Sequence, residues 1–354
     1  MDKIKQAIAK PLISIKNALK QMDSTGRKII IVVDNNNRLL GVVTDGDIRR
    51  WILKGKSLSA SISHVMNVNP FVLEESDMKL QEKAKKIMLT NEIECLPIIN
   101  ANKQVISGIW WVDLFENNLI KKKSFNLPIV IMAGGEGTRL APFTKILPKP
   151  LIPVGEKAIV ERIIDKFAEY GCKNYYLSVN YKSNMIKAYF NDFNHSYNLH
   201  YIQEDKPLGT AGSLQLLKNK IKSTFFVSNC DILIEADYAD ILKSHRKYKN
   251  KITLVSSMKH YTIPYGVCNV GKKGELKKII EKPEYDFLVN TGMYIIEPEI
   301  LELIPSKEVF HITQLISILL KRGIRVGVYP ISEKSWLDMG QFEELKEMLK
   351  KFGV

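Results

Sequence analysis

Short apolar runs alternate with polar and glycine positions along the whole chain. The longest, such as Ile29 to Val33 and Pro128 to Ala133, have the length of buried strands. None approaches the ~18 residues of a membrane span. The opening residues, MDKIKQAIAK, lack the continuous apolar centre of a secretion signal.

The first third of the pattern repeats. Shifted by 66 positions, Ala18 falls on Ala84 and Met22 on Met88, both at helical spacing. Ile31, Val32, Val33 and Asp34 fall on Pro97, Ile98, Ile99 and Asn100, and Leu40 and Asp47 fall on Ile106 and Asp113. Each copy predicts helix, strand, turn, strand, short helix. A unit of about sixty residues is marginal alone, so the two copies should pack face to face. They span about 1–58 and 59–120 within a first domain of 1–122. The polar step at Lys121-Lys-Lys-Ser-Phe-Asn126 marks the boundary, with a linker at 123–127 and a second domain at 128–354.

In the second domain, strands are expected at 128–133, 175–180, 198–203, 224–229, 252–258, 276–280 and 292–296. Helices fall between several of them. At 158–169, Val160, Ile163, Ile164 and Phe167 form an apolar stripe that Gly171 closes. Such alternation predicts an α/β layered fold with a largely parallel sheet, which binds ligands at the carboxyl ends of its strands.

Composition adjusts this picture only slightly. A chain of 354 residues fits two domains at ~150 residues each. With 45% hydrophobic and 25% charged residues, wholesale disorder is excluded. Lysine and arginine total 52 against 38 acids, a net +14. That balance suits anionic ligands such as nucleotides and sugar phosphates; neither a nucleic-acid nor a membrane partner is expected. Cysteines at 95, 172, 230 and 268 make no CxxC, which argues against a zinc ribbon or disulfide scaffold. A reducing cytoplasm is the expected setting.

The candidate chemistry begins after the first strand of the second domain, in Ala133-Gly134-Gly135-Glu-Gly137-Thr138-Arg139-Leu140. Glycines there allow positive φ and let backbone N–H groups approach an anion. Arg139 supplies a planar fork for phosphate oxygens. It is not a Walker A loop, since no lysine follows the glycines, and Leu140 occupies the third glycine position of a dinucleotide fingerprint. Ten residues on stands Pro148-Lys149-Pro150. The two prolines should hold the backbone extended and Lys149 as a positioned charge. Asp231 follows the apolar strand Phe225-Phe-Val, at the end where an open sheet presents chemistry. It is the first candidate ligand for Mg²⁺, which favours one or two carboxylates plus phosphate oxygens.

Taken together, AGGEGTRLAPFTKILPKPLIPVGEKAIVERIID resembles the signature of the sugar-1-phosphate nucleotidyltransferases, over roughly 128–354. The resemblance implies a Rossmann-like GT-A domain with a mostly parallel mixed sheet. It also implies a reaction joining a nucleoside triphosphate to a sugar 1-phosphate, with pyrophosphate released. Ala133, Gly134, Gly135, Gly137, Thr138 and Arg139 are then expected at the nucleotide, with Gln203 and Gly209 at base and ribose, and Gly212 beside them. Arg139, Lys149 and Asp231 are the expected catalytic groups. Trp336-Leu-Asp338-Met-Gly340 resembles the family's element for the second metal ligand, so Asp231 and Asp338, 107 residues apart, should meet around Mg²⁺. Cys230 stands where the family usually has glycine. Lys149, Tyr265, Gly266, Glu281, Lys282, Asn290 and Gly292 match the family's sugar-phosphate pocket in order. His260 and His311 are read as structural, without partners.

Gly41-Val-Val-Thr44-Asp45-Gly-Asp47 resembles the core of a CBS domain, and the repeat makes the first domain an α+β tandem CBS (Bateman) module. That implies Thr44 and Asp47 at an adenine nucleotide; Trp110 replaces the threonine in the second copy. The fusion resembles the CBS-linked guanylyltransferases of bacterial nonulosonate (legionaminic acid) biosynthesis. It points to GTP, an amino or neutral hexose 1-phosphate, and a homo-oligomer. The residues themselves leave UTP, dTTP and CTP open. Two rivals are a glycosyltransferase, which would want a first aspartate at Asn229, and a non-catalytic nucleotide sensor.

Overall fold

The computed structural model describes residues 4–91, 93–115, 123–192 and 195–353; Lys121 and Lys122 of the expected boundary lie outside them. The chain forms two compact units, Met1–Lys121 and Lys122–Val354.

In the first unit the repeat is visible strand by strand. Ile29–Val33 pairs antiparallel with Leu39–Thr44, and Cys95–Ile99 with Val105–Trp110. Both pairs carry a bulge at the same place, Val32/Val33 and Ile98/Ile99. Helix Ile15–Thr25 precedes the first pair and Leu80–Asn91 the second. Ser14 caps the former by accepting the Asn17 N–H at 3.1 Å. Ile31, Val33 and Val42 of one copy share a core with Cys95, Ile99 and Val105 of the other. The Leu39 N–H donates to Lys103 O at 2.9 Å and the Val105 N–H to Asn37 O at 2.9 Å. Two marginal units thereby bury a common face.

The second unit is built on one mixed sheet of seven strands. Their spatial order is Asn198–Gln203, Asn174–Val179, Ile129–Met132, Phe225–Asn229, Glu284–Ile296, Ile252–Thr262 and Val326–Ile331. All pairs are parallel except those of Glu284–Ile296 with its two neighbours. Period-two side-chain alternation explains the layers. Ile129 and Ile131 enter the core that includes helix residues Ile159, Val160, Ile163 and Phe167. Val130 and Val227 enter the opposite core, with Leu315 and Leu319 of helix Ile312–Lys321. Phe125, within the expected linker, stacks on Tyr170 at 5.3 Å between centroids.

Several strands exceed or escape the sequence pattern, Ile252–Thr262 by running four residues past the expected 258. Glu284–Ile296 begins eight residues before the expected 292, because Glu284 and Asp286 interrupt its apolar signal. Val326–Ile331 contains Pro330, a residue that sheets tolerate at an edge, where this strand lies.

Candidate active site

Strands Ile129–Met132 and Phe225–Asn229 are neighbours, with Met132 opposite Asn229. The next strands in sequence, Asn174–Val179 and Asn198–Gln203, lie on one side of Ile129–Met132; Phe225–Asn229 lies on the other. The chain therefore reverses direction across the sheet at this point, where open α/β sheets form a binding crevice. The glycine loop and Asp231 leave from these two adjacent ends.

The loop is held from both sides. Gly137 has φ +67°, and a Cβ there would lie 2.9 Å from Thr144 Cγ2 and 3.1 Å from Lys149 Cβ. Thr144 also donates its hydroxyl to Gly137 O at 2.9 Å. At the other side, a Cβ on Gly134 would lie 2.6 Å from Glu204 Oε1. Ala133 is buried, whereas Gly135, Thr138 and Arg139 are exposed, so the free edge of the loop carries the guanidinium.

Lys149 does not have the extended backbone that its flanking prolines predict. Lys149–Leu151 is a turn of 3₁₀ helix, and only Pro148, ψ 144°, is extended. Pro150 sits inside the first turn, where a missing N–H costs nothing. Lys149 is nevertheless a fixed charge: it is 7% exposed, and its Nζ lies 2.5 Å from Asp231 Oδ2. Cys230 turns its thiol into the core beside Ile232 and Leu233. Burial, reinforced by the Asp231 charge, pushes that thiol up to about 12. The side chain is inert and its substitution for glycine leaves the carboxylate in place.

A short ribbon delivers the second carboxylate. Ile232–Ile234 pairs antiparallel with Trp336–Asp338, Ile232 opposite Asp338, and the Met339 N–H donates to Asp231 O at 2.8 Å. Burial first, and the neighbouring Asp231 charge second, hold the Asp338 carboxyl above the ordinary range, with Lys149 opposing. Two crowded carboxylates and only oxygen donors fit a hard divalent cation. Among the described residues no group of three or more His, Cys, Asp or Glu gathers as a metal cage. A two-carboxylate site that leaves coordination to phosphate and water suits Mg²⁺.

Glu204 is a site residue that sequence reasoning missed. It is 5% exposed. Its Oε1 accepts the Ser178 hydroxyl at 2.6 Å and its Oε2 the Leu208 N–H at 3.0 Å. It thus ties the end of strand Asn174–Val179, the glycine loop and the 204–208 turn together. Its signal was an acid at the carboxyl end of a strand, masked by the acidic Asp205 beside it. Gln203 is exposed and accepts Lys187 Nζ at 2.9 Å. Gly209, φ +77°, packs where a Cβ would meet Phe310 O at 2.8 Å; on Gly212 it would meet Glu308 O at 2.8 Å. The Thr210 hydroxyl accepts the Ile312 N–H at 3.0 Å and so caps helix Ile312–Lys321.

The remaining candidates divide. Gly292, φ +91°, lies against Asn229, whose Nδ2 would be 2.4 Å from an added Cβ, so it belongs to the central crevice. The Asn290 amide donates to Tyr294 OH at 2.6 Å and accepts the Gly292 N–H at 3.2 Å. Tyr265, Gly266, Glu281 and Lys282 flank the outer hairpin of Val267–Val270 and Leu276–Ile280; a Cβ on Gly266 would meet Glu281 Oε2 at 2.9 Å. The contacts that define the Lys149 cluster do not include these four. His260 does have a partner, contrary to expectation: its Nδ1 lies 2.5 Å from Asp286 Oδ1, the residue opposite it in the ladder. In the first unit, the Thr44 hydroxyl donates to Asp47 Oδ2 at 2.6 Å in a capping box of helix Asp45–Leu53. Its counterpart Trp110 is 4% exposed, with the Arg27 guanidinium 4.2 Å above its ring.

Residues 129–353 match the family model described as Nucleotidyl transferase, and residues 7–54 match that of the CBS domain. A mannose-1-phosphate guanyltransferase of Saccharomyces cerevisiae is 30% identical over 223 residues, 60% of this chain and 61% of that protein. One from Yarrowia lipolytica is 33% identical over 229 residues, 60% of each. The chain thus spans about three fifths of the length of these curated relatives. The crystal structure of HddC from Yersinia pseudotuberculosis superposes with a TM-score of 0.51 at 25% identity, covering 64% of this chain and 99% of that one. The same protein complexed with GMP-PN gives 0.50. Among the described residues no helix is long and apolar enough to cross a membrane.

Proposed function

The chain belongs to the nucleotidyl transferase family, and on that premise we propose that it transfers a nucleoside monophosphate from GTP to a hexose or hexosamine 1-phosphate, releasing pyrophosphate. Mannose 1-phosphate and glucosamine 1-phosphate are the favoured acceptors. The observation that carries this reading is the contact of Lys149 with Asp231, together with the backbone pairing that brings Asp338 close enough to feel the Asp231 charge. The guanyltransferase relatives at 30% and 33% identity favour GTP.

In this reading a sugar-phosphate oxygen attacks the α-phosphorus in line; the new P–O bond forms as the bond to pyrophosphate breaks. No covalent enzyme intermediate is needed. The protein must hold two polyanions together, which is a task of positioning and charge screening. Backbone N–H groups of Gly134, Gly135 and Gly137 and the Arg139 fork bind the triphosphate. Lys149, kept on Asp231 until substrate arrives, neutralises phosphate at the reacting centre. Glu204 orients the loop from beneath. Asp231 and Asp338 would hold Mg²⁺, whose charge when bound screens the phosphate oxygens. Gly266, Glu281 and Lys282 close over the sugar, and Thr44 and Asp47 mark a regulatory adenine-nucleotide site.

Pyrophosphate release with Mg²⁺, using four nucleoside triphosphates against several hexose 1-phosphates, tests the proposal. Release with GTP and one hexose 1-phosphate is expected. Turnover with another base alone would move the specificity, and binding with no turnover by any pair would leave a nucleotide sensor.

A further inference from the structure

Between Gly137 and Lys149 the chain forms a helix of only four residues, Phe143–Ile146. One turn is too short to stand alone, and none of its four carbonyls has a partner within the helix. Each finds one outside it. Phe143 O accepts the Leu147 N–H at 2.9 Å. Thr144 O accepts the Tyr181 hydroxyl at 3.2 Å. Lys145 O and Ile146 O both accept the Lys182 ammonium, at 2.6 and 2.7 Å. Tyr181 and Lys182 follow strand Asn174–Val179, so the short helix is held by a segment 36 and 37 residues away.

That segment also grips the glycine loop. The Tyr181 N–H donates to Gly134 O at 3.4 Å, and the Asn180 amide to Glu204 O at 2.7 Å. Lys182 itself lies in the left-handed region, with φ +49°. Glycine would adopt that backbone freely, whereas a lysine there is strained, and such strain persists only where surrounding contacts fix it. Its ammonium on two carbonyls is such a contact. The held helix leads in both directions to the chemistry. Thr144 donates its hydroxyl to Gly137 O at 2.9 Å, and Leu147 runs through Pro148 into the buried turn of Lys149. Phe143 leans on Phe342, 5.7 Å between centroids, at the start of the helix that follows Asp338.

We infer that Lys182 is a positioning residue. Its ammonium clamps Phe143–Ile146 to the end of strand Asn174–Val179, and so fixes the chain from Arg139 to Lys149 before a nucleotide binds. Lys182 acts through those two cations and touches no reacting atom. The clamp stands on the carbonyl partners alone; its effect on turnover rests on the preceding reading.

Three variants of the full chain test this. Lys182→Met removes the ammonium and keeps the stem. Lys182→Gly removes it and relaxes the left-handed backbone. Lys182→Arg supplies donors for both carbonyls again. The Met and Gly variants should each lower kcat by ~10-fold or more, as small misplacements far from the chemistry do, with the KM for sugar phosphate unchanged. Arginine should recover most of the loss. On a Lys149→Ala background, Lys182→Met should add little, because residues that act as a unit are not additive. Full kcat in the Met variant, a loss that arginine does not recover, or additive losses in the double variant overturns the positioning role. Hydrogen exchange reads the clamp without the reaction. The Lys145 and Leu147 amides bond to Pro142 O and Phe143 O, and should exchange faster in the Met and Gly variants; unchanged exchange overturns the clamp. A wild-type chain that turns over no substrate pair would sink the preceding reading, and exchange would still decide the clamp. Should the Met variant not fold, the Gly variant gives the same readouts.

Discussion

Lys149 shows what one side chain can do when the backbone fixes it. Its ammonium sits on Asp231 at 2.5 Å and its stem packs against the glycine loop at Gly137. Lys149→Ala is expected to lower turnover by ~10²-fold or more, as does loss of one preorganised electrostatic group elsewhere, with stability largely kept. Steady-state kinetics with a thermal melt checks it; near-normal turnover in a folded variant removes Lys149 from the phosphate. Gly137→Ala is a harsher change. The left-handed φ of +67° costs an alanine roughly 1–2 kcal/mol, and the new methyl presses on Thr144 and Lys149. A lower melting temperature together with lower turnover is expected. A variant with full activity would show that the loop does not position the lysine.

At the scale of elements, the site was legible wherever one chain segment carried it. Glycine loop, Lys149 and Asp231 each announced themselves by strand-then-turn composition. The proximity of Asp231 and Asp338 was expected only through the resemblance, because pairing of Ile232–Ile234 with Trp336–Asp338 joins segments whose sequences hold no mutual signal. Distant segments also decide Glu204, whose role depends on Ser178 and Leu208, and Thr210, which caps a helix 102 residues on. Helix Tyr238–Lys247 adds a pH-sensitive contact. His245, 1% exposed, lies 2.8 Å from Thr253 Oγ1 and 3.0 Å from Glu297 Oε1. Burial lowers its pKa, and Glu297 only partly offsets this. The folded state therefore binds this proton less readily than the unfolded chain, whose histidine titrates near ~6.5. Stability from this group is present above that pH and is lost as pH falls through it. Melting temperature should fall on acidification more steeply in wild type than in His245→Asn; equal slopes would contradict the assignment.

The whole molecule combines a legible plan with an illegible surface. The 66-residue repeat and the α/β alternation forecast both units, because apolar periodicity is what builds cores. Of the outer hairpin, Leu276–Ile280 was expected and Val267–Val270 escaped, since a strand that buries nothing carries no clear periodic signal. In the first unit the capping box of Thr44 and Asp47 is intact while Trp110 fills the matching place in the second copy. Calorimetry of the full chain with AMP or ATP should thus give one site per chain, abolished by Thr44→Ala; two sites would contradict the filled position.

The account depends most on two carboxylates acting as a single cation site next to Lys149, and Mn²⁺ titration followed by electron paramagnetic resonance, with nucleotide present, reads that directly. Asp231→Asn and Asp338→Asn should each weaken Mn²⁺ by ~10-fold or more, and Lys149→Ala in the absence of nucleotide should leave it as tight or tighter. Unchanged Mn²⁺ affinity in Asp338→Asn would contradict the account.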